Sequence, residues 1–546
     1  MKAISRLFSY ASANGVRYTV RRAGQKAAES LGRSWDRTWQ SLRPDAETLQ
    51  RQRDSQPAGG LISVLVPVYR TEPDFIDALA KSLTAQTYLN WEACLYVTGD
   101  RDETEKALQR AMDLDRRIRA LHGEKNEGIS VNTNHALEMA RGEWIAFCDH
   151  DDLLPPDALW MLAEEIALGD ADVIYTDEDR INARGRIHSE PHLKPDFCPD
   201  TLRSANYICH LMAARRSLID EVGGLRPEAD GSQDHDLALR LSEKTDRIRH
   251  VAVIGYHWRD VKTSASRTDP ARCLERAAHA VERHMARIGW PGTAEPVNGV
   301  LRLRYQLREL EAVAFVVAPD SRAARACVKA LRNALPENVP VRMALGENRF
   351  EAMNRAAART DAPLMLFVDA SVRGFSKDFF GELAMYAQRP DVGMVTPMLT
   401  DGSGRVTHAG FAVGTEGGLK CRNQGLPARA GGRFMMNRIS HNVGAVSPAC
   451  LMIRRSAWIS LDTAYHTAFA TADACMALRE KGLVHVFTPH AKAVCEEPEA
   501  CLLLTGDRDP DDRIRFNQRW GPVRDACWNP GLRLDVADFS AGRKEK

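Results

Sequence analysis

Asp149, His150, Asp151 and Asp152 stand in a row directly behind the apolar run Trp144, Ile145, Ala146, Phe147 and Cys148. Such a run reads as a buried strand, and its end is a costly place for three carboxylates. Like charges repel, and desolvation penalises each ion. A divalent cation taking oxygen ligands would offset that cost. The same residues also read as a solvated acidic turn in which Asp152 caps a helix beginning near Pro155 or Pro156. Both readings stay open on these residues alone.

The elements around them decide where that row sits. QPAGG at 56–60 punctuates the chain, and LISVLVPVY after it is a β-branched apolar run, which predicts a buried strand. Helical spacing through Phe75, Leu79 and Leu83 follows, then the apolar ACLYV at 93–97, a helix over 103–114, a short strand in IRALHG and a helix over about 130–141. Alternating strands and helices with short links predict an α/β fold with a mostly parallel, doubly wound sheet. Ligands bind such sheets beyond the carboxyl ends of the strands, and the acidic row is placed there. Near residue 310 the pattern restarts: AVAFVVAP matches the opening strand and APLMLFVDAS matches the strand that carries the acidic row. This predicts two related domains, about 61–300 and 310–535, as a divergent internal repeat. A basic tail, GRKEK, lies within 536–546.

Bulk properties narrow the partners. Of 546 residues, 44% are hydrophobic and 27% charged, an ordinary globular composition. Lysine plus arginine number 74 against 73 acids, so no general nucleic-acid binder is expected. No stretch approaches the roughly 20 apolar residues of a membrane helix, and the opening residues lack the apolar core of a signal peptide. The 12 cysteines are scattered without a CxxC pair, which suits free thiols in the cytoplasm better than a disulfide framework. Residues 1–60 differ from the rest, with 11 Lys/Arg against five acids and interleaved aromatics including Trp35 and Trp39. They read as a basic amphipathic helical leader that either contacts an anionic membrane face through residues 1–55 or packs on its own protein.

PVY, DHDD, SQDHDLALRL and YHWR, in this order and spacing, make residues 61–290 resemble an inverting glycosyltransferase of family 2. The resemblance implies a GT-A fold, a Rossmann-like nucleotide-sugar domain. NEGISVNTNHALEMARGEW, YTDEDRI, EPHLKPDF and NYICHL extend it toward the members that assemble bacterial surface polysaccharides. It implies donor contacts at Pro67, Val68, Tyr69, Asn126, Asp149 and Arg259, with Arg259 clamping the diphosphate. A Mg²⁺ or Mn²⁺ ion would sit on Asp151 with Asp149, and His257 would be a further ligand or else a structural group. Asp152 would cap the next helix. Asp234 would be the general base for the acceptor hydroxyl and Asp236 the helix cap. Asp177, Glu178, Asp179 and Lys194 would border the acceptor. The implied partners are a nucleoside-diphosphate sugar and a lipid-linked or oligosaccharide acceptor. The implied location is the cytoplasm, at the inner face of the cytoplasmic membrane.

Two departures are visible. Family members carry two aspartates after the second strand, the first on the nucleotide base, whereas Val97 and Thr98 stand here. Asp100 or Asp102 would replace them only in a re-registered loop, so the base is open. The second domain is degenerate: its metal slot reads Asp369, Ala370, Ser371, its base slot Thr471, and its late histidine slot Cys495 and Glu496. It resembles the companion half of long two-domain members through THAGFAVG, NVGAVSPACLMIRR, FTPHA and RFNQRWG. A retired scaffold that binds glycan or a partner is the competing reading. A nucleotide-sugar oxidoreductase is not, because no GxGxxG follows the first strand.

Overall fold

A computed structural model describes residues 35–99, 102–261, 268–309, 311–414, 418–496, 509–535 and 537–541. Most of the leader, Asp100 and the last tail residues lie outside these. The chain divides into two compact units. Among the described residues, the first takes those up to Phe197 and 206–288, and the second takes Cys198–Ala205 and those from Gly289 onward. A short piece from the middle of the first stretch therefore folds with the second.

In the first unit one sheet holds β1 (Ile62–Tyr69), β2 (Trp91–Thr98), β3 (Ile118–His122), β4 (Trp144–Phe147), β5 (Val173–Ile181), β6 (His188–His192), β7 (Met212–Arg215) and β8 (Ile248–Arg259). Their order is β3-β2-β1-β4-β7-β5-β6, with β8 also paired to β5. β3, β2, β1 and β4 are parallel, β7 is antiparallel to β4 and β5, and β8 is parallel to β5. All eight positions of β2 and all but Tyr69 of β1 are buried, as expected of strands covered on both faces. The helix Pro73–Thr84 begins with proline in its first turn, where no backbone donor is lost. Ala158–Leu168 stops at Gly169, whose φ of 80° only glycine adopts cheaply.

The leader's described part folds onto this unit. Helix Trp35–Leu42 sets the Trp39 ring 4.9 Å from His257 and 5.3 Å from His188, and Trp35 Nε1–H donates to Asp179 at 2.9 Å. Helix Ala46–Asp54, capped by Asp45, buries Gln52, which accepts a hydrogen bond from the Thr87 hydroxyl. Trp39 is therefore spent on intramolecular packing, not held out for a bilayer. Its spacing resembles a membrane face because both surfaces ask for the same amphipathic pattern.

The second unit repeats the plan. Val341–Leu345, Ala312–Ala318, Leu364–Asp369, Cys450–Arg454, Val392–Thr400 and Val484–Cys495 lie side by side in that order. Their pairings run parallel, parallel, antiparallel, antiparallel, parallel. That is the sequence of senses across β2, β1, β4, β7, β5 and β8, so the internal repeat holds at the level of topology. The hairpin Gly292–Val297 and Val300–Tyr305 belongs to this unit. So does the helix Pro199–Ser204, whose Asp200 is fully buried and paired with Arg389 and Arg203. Ten described cysteines are free thiols. Cys495 is disulfide-bonded, contrary to the expectation of thiols throughout.

Candidate active site

The acidic row follows β4. Asp149, Asp151 and Asp152 bring ligand oxygens within 4.8 Å of one another. Asp152 has no exposed surface: one oxygen accepts the Tyr256 hydroxyl at 2.6 Å and the other the Arg259 amide at 2.6 Å. It therefore ties the acidic turn to β8 and does not cap the next helix, as the sequence had suggested. Burial, with Asp151 and Asp149 close by, pushes its carboxyl well above the usual range. Asp149 is raised to about 6, by burial first and by Asp151 second. Neither Asp149 nor Asp151 forms an ion pair with lysine or arginine among the described residues. Closely spaced carboxylate oxygens without a cationic side chain paired to Asp149 or Asp151 fit a hard divalent cation.

Asp234 lies in the first turn of Gln233–Leu241. It lines a pocket of about 450 Å³ together with Asp149, His210, Pro67, Phe147 and Gln233. Burial raises its carboxyl, the His210 imidazole opposes that rise, and Asp149 adds to it. Ser232 occupies the helix cap position, and Asp236 is buried against Arg240 at 2.8 Å. Asp236 is therefore an internal ion-pair partner and not the expected cap. With its neighbour turned inward, Asp234 is the carboxylate that this turn presents to the pocket.

Arg259 is almost wholly buried beneath the acidic turn. Its Nε–H donates to the Asp151 carbonyl and its Nη1 to Ala183 O at 3.0 Å, while Nη2 is buried with no partner among the described residues. A buried guanidinium nitrogen left without an acceptor suits an anion at this place.

His257 is held by a carboxylate of the neighbouring strand. Its Nδ1 is 2.6 Å from Asp179, opposite which β8 places it in register, and it groups with Asp179 and His188 rather than with the three aspartates. The imidazole thus holds β8 to β5 and receives Trp39. The carboxylates expected beside the acceptor are also internal. Asp177 accepts from the Lys194 amide at 2.7 Å and meets His250 Nε2 at 2.9 Å. Glu178 meets the Lys194 ammonium at 3.4 Å and His192 at 3.1 Å, and the ammonium of fully buried Lys194 donates to His210 O at 2.5 Å. Asp177, Glu178 and Asp179 are consecutive in β5, so no apolar alternation lets the sequence show that both faces of the strand are covered.

Among the donor-side residues, Pro67 lines the pocket, Val68 is buried in the apolar core, and Tyr69 is 39% exposed. Exposed Asn126 accepts from the Gly128 amide and from Asn132, which fixes the turn before Ile129–Met139. Val97 and Thr98 are buried, so neither offers a carboxylate or an accessible side chain to a base.

Sequence reasoning missed His210. Its backbone is clamped by Glu178 and Lys194, its ring stacks on Tyr256 at 4.8 Å, and its Nε2 lies 4.0 Å from Asp149. Only the motif NYICHL hinted at it, and nothing in that stretch says which of its residues turns inward.

Residues 63–223 match the family model described as Glycosyl transferase family 2. An uncharacterized protein, y4gI, of Sinorhizobium fredii is 31% identical over 95% of this chain and 62% of its own length. The O-antigen biosynthesis protein RfbC of Myxococcus xanthus is 29% identical over 88% of this chain and 41% of its own. The chain thus spans less than two thirds of the length of either relative. The crystal structure of S. aureus TarS 1-349 in complex with UDP-GlcNAc, 19% identical, covers 41% of this chain and 66% of that one at a TM-score of 0.35, too partial a match to carry weight. With acidic turn, pocket and inward Asp234 all in or beside the matched stretch, residues 63–223 are a glycosyl transferase family 2 domain.

Proposed function

We propose that the first unit transfers a sugar from a nucleoside-diphosphate donor to a hydroxyl of a growing, lipid-linked surface glycan, with inversion at the anomeric carbon and with Mg²⁺ or Mn²⁺ bound. The observation that carries this reading is the shared pocket: Asp149, from the end of β4, and Asp234, from the helix Gln233–Leu241, line the same cavity. The name of the Myxococcus relative supports the glycan class.

Asp234 is the general base. Its carboxylate takes the proton of the acceptor hydroxyl as the oxygen attacks the anomeric carbon, and the nucleoside diphosphate leaves from the opposite face. Asp149 and Asp151 would hold the cation, which supplies positive charge to the leaving diphosphate. Arg259 adds a buried guanidinium whose Nη2, without a partner among the described residues, is a donor for a phosphate oxygen. His210 keeps a polar ring between the two aspartates. The second unit, whose Asp369 and Thr471 are bonded within their own chain, serves as a companion domain. The basic residues of 1–34 draw the enzyme to an anionic membrane, where a lipid-linked acceptor resides.

Nucleotide release from a panel of nucleotide sugars, with Mn²⁺ and a lipid-extract acceptor, tests the assignment. Release that disappears in Asp151→Ala and Asp234→Ala is expected. Full release in both variants, or the absence of metal-dependent nucleotide binding by calorimetry, leaves the retired scaffold as the better reading. Removing residues 1–34 should reduce sedimentation with anionic vesicles; unchanged sedimentation retires the membrane part.

A further inference from the structure

One polar side chain of the pocket is firmly held, yet its ring nitrogens bond to nothing. Among the polar groups lining the cavity, the Thr133 hydroxyl donates to Ile129 O at 2.7 Å, and Gln233 Oε1 accepts from the Gly231 amide at 2.8 Å. Asp149 and Asp234 already have parts in the transfer. His210 remains, and neither of its ring nitrogens forms a hydrogen bond among the described residues.

The residue is fixed at both ends. The His210 amide donates to Glu178, and its carbonyl accepts from the buried Lys194 ammonium. Its ring stacks on Tyr256 at 4.8 Å and meets Trp258 edge-on at 6.0 Å. Tyr256 also ties down the acidic turn, because its hydroxyl accepts from the Asp149 amide at 3.1 Å and donates to Asp152 at 2.6 Å. One buried tyrosine therefore sets both the imidazole and the carboxylate beside it. His210 Nε2 stands 4.0 Å from Asp149 Oδ2. That is too long for a hydrogen bond, but one oxygen about 2.8 Å from each atom would bridge it.

We infer that His210 is a specificity-determining residue that binds a hydroxyl of the transferred sugar, jointly with Asp149. The chemistry of the pair selects the group. An imidazole N–H donates and a carboxylate only accepts, so the oxygen between them has to accept one hydrogen bond and give another. A hydroxyl does both. A phosphate oxygen has no hydrogen for Asp149, and its charge repels the carboxylate. Position agrees, since the sugar lies between the leaving diphosphate beside Asp149 and Asp151 and the acceptor hydroxyl beside Asp234. The inference rests on the transfer reading and adds to it the residue that reads the sugar.

Calorimetry of the full chain with Mn²⁺ tests this through binding and not turnover. Bare nucleoside diphosphates are titrated first, then a panel of nucleotide sugars, then each singly deoxyfluorinated form of the tightest one, because fluorine cannot donate. The wild type should hold that sugar nucleotide more tightly than its bare nucleoside diphosphate, and one deoxyfluoro form should bind about tenfold more weakly. His210→Phe keeps a ring on Tyr256; it should bind every form within about twofold of the bare nucleoside diphosphate, whose own affinity stays as in the wild type. His210→Gln restores a side-chain N–H and should recover part of the gain, with thermal unfolding reporting the fold of both variants. Equal wild-type affinity for all deoxyfluoro forms overturns the inference without any variant. So does an undiminished gain in His210→Phe, and so does weakened binding of the bare nucleoside diphosphate, which would make His210 a metal or phosphate ligand. Absence of metal-dependent binding of any nucleotide is a different failure: it removes the transferase reading, and this inference with it.

Discussion

Strand β4 runs out into Asp149, and its counterpart Leu364–Asp369 in the second unit ends on Asp369. Neither Asp149 nor Asp151 is ion-paired with a lysine or arginine among the described residues, and burial, with the charge of Asp151 adding to it, leaves Asp149 raised to about 6. Asp369 is instead satisfied by its own chain: Arg349 pairs with one oxygen at 2.8 Å, and the Ser371 amide and hydroxyl donate to the other at 3.0 and 2.7 Å. Where Asp234 faces a pocket, Thr471 gives its hydroxyl to Val446 O at 2.7 Å and has no exposed surface. The backbone plan is the same in both units. They differ in whether the chain neutralises its own polar groups or leaves them for a ligand. A self-satisfied site is stable and inert, whereas an unsatisfied one costs stability and can bind.

The sharpest way to break this comparison is through rate. Asp234→Asn should lower sugar transfer about 10²–10⁴-fold, the usual worth of a positioned base, while Thr471→Asp and Arg349→Ala should leave it within about twofold. Initial rates of nucleotide release measure all three. Any gain from Thr471→Asp, or a large loss from Arg349→Ala, would show that the second site is still at work.

Stability gives the next contrast. Arg389 is buried and paired with Asp200 and Asp391, so Arg389→Met leaves buried Asp200 with Arg203 as its one arginine partner among the described residues. Removing one partner of such a pair costs about 3–5 kcal/mol. Denaturant unfolding should show that loss in the second unit, with hydrogen exchange of first-unit peptides nearly unchanged. Protection lost equally in both units would erase the distinction.

Acid supplies the smallest contrast. In the second unit burial holds His408 and His441 down to about 3 and His485 to about 4. Their folded values lie below the unfolded one, so the unfolded chain takes up protons first. Their contribution is therefore complete above about pH 6.5 and is lost as pH falls, by about 1.4 kcal/mol per imidazole at one unit below. His250 in the first unit is shifted the other way: burial opposes its charge, but Asp177 and Asp196 outweigh burial. Its stabilisation is complete below its unfolded value and fades as pH rises through the folded one. Calorimetry at pH 7.5 and 5.5 should show the second unit weakening while the first holds; parallel shifts would refute the assignment.

Much of this was legible before folding. The β-branched runs, the acidic row behind β4 and the restart near 310 follow from short-range pattern, and pattern fixes which residues end a strand. What stayed hidden depends on pairing between distant strands. Only the β5–β8 register sets His257 opposite Asp179, which draws its imidazole to that carboxylate and not to the acidic turn. Asp152 and Asp236 carry the side chains of helix caps, yet tertiary partners, Tyr256 and Arg259 for one and Arg240 for the other, claimed them. His210 was invisible because its place comes from a backbone held by Glu178 and Lys194, which no local spacing encodes.

The helix Pro199–Ser204 makes the protein hard to divide. It is translated between β6 and β7, yet its Asp200 is bonded to Arg389 and Asn442, residues synthesised some 200 positions later. A ribosome therefore finishes most of the first unit while this helix still lacks its destination, and folding of the nascent chain must hold that segment in reserve. The same thread defeats any cut near residue 300. A fragment ending there keeps a helix built for burial with nowhere to go, and the remainder keeps buried Arg389 with Asp391 but without Asp200. Neither half is an exchangeable cassette, so an engineer who wants to swap donor domains in such a chain must graft 198–205 along with the second unit.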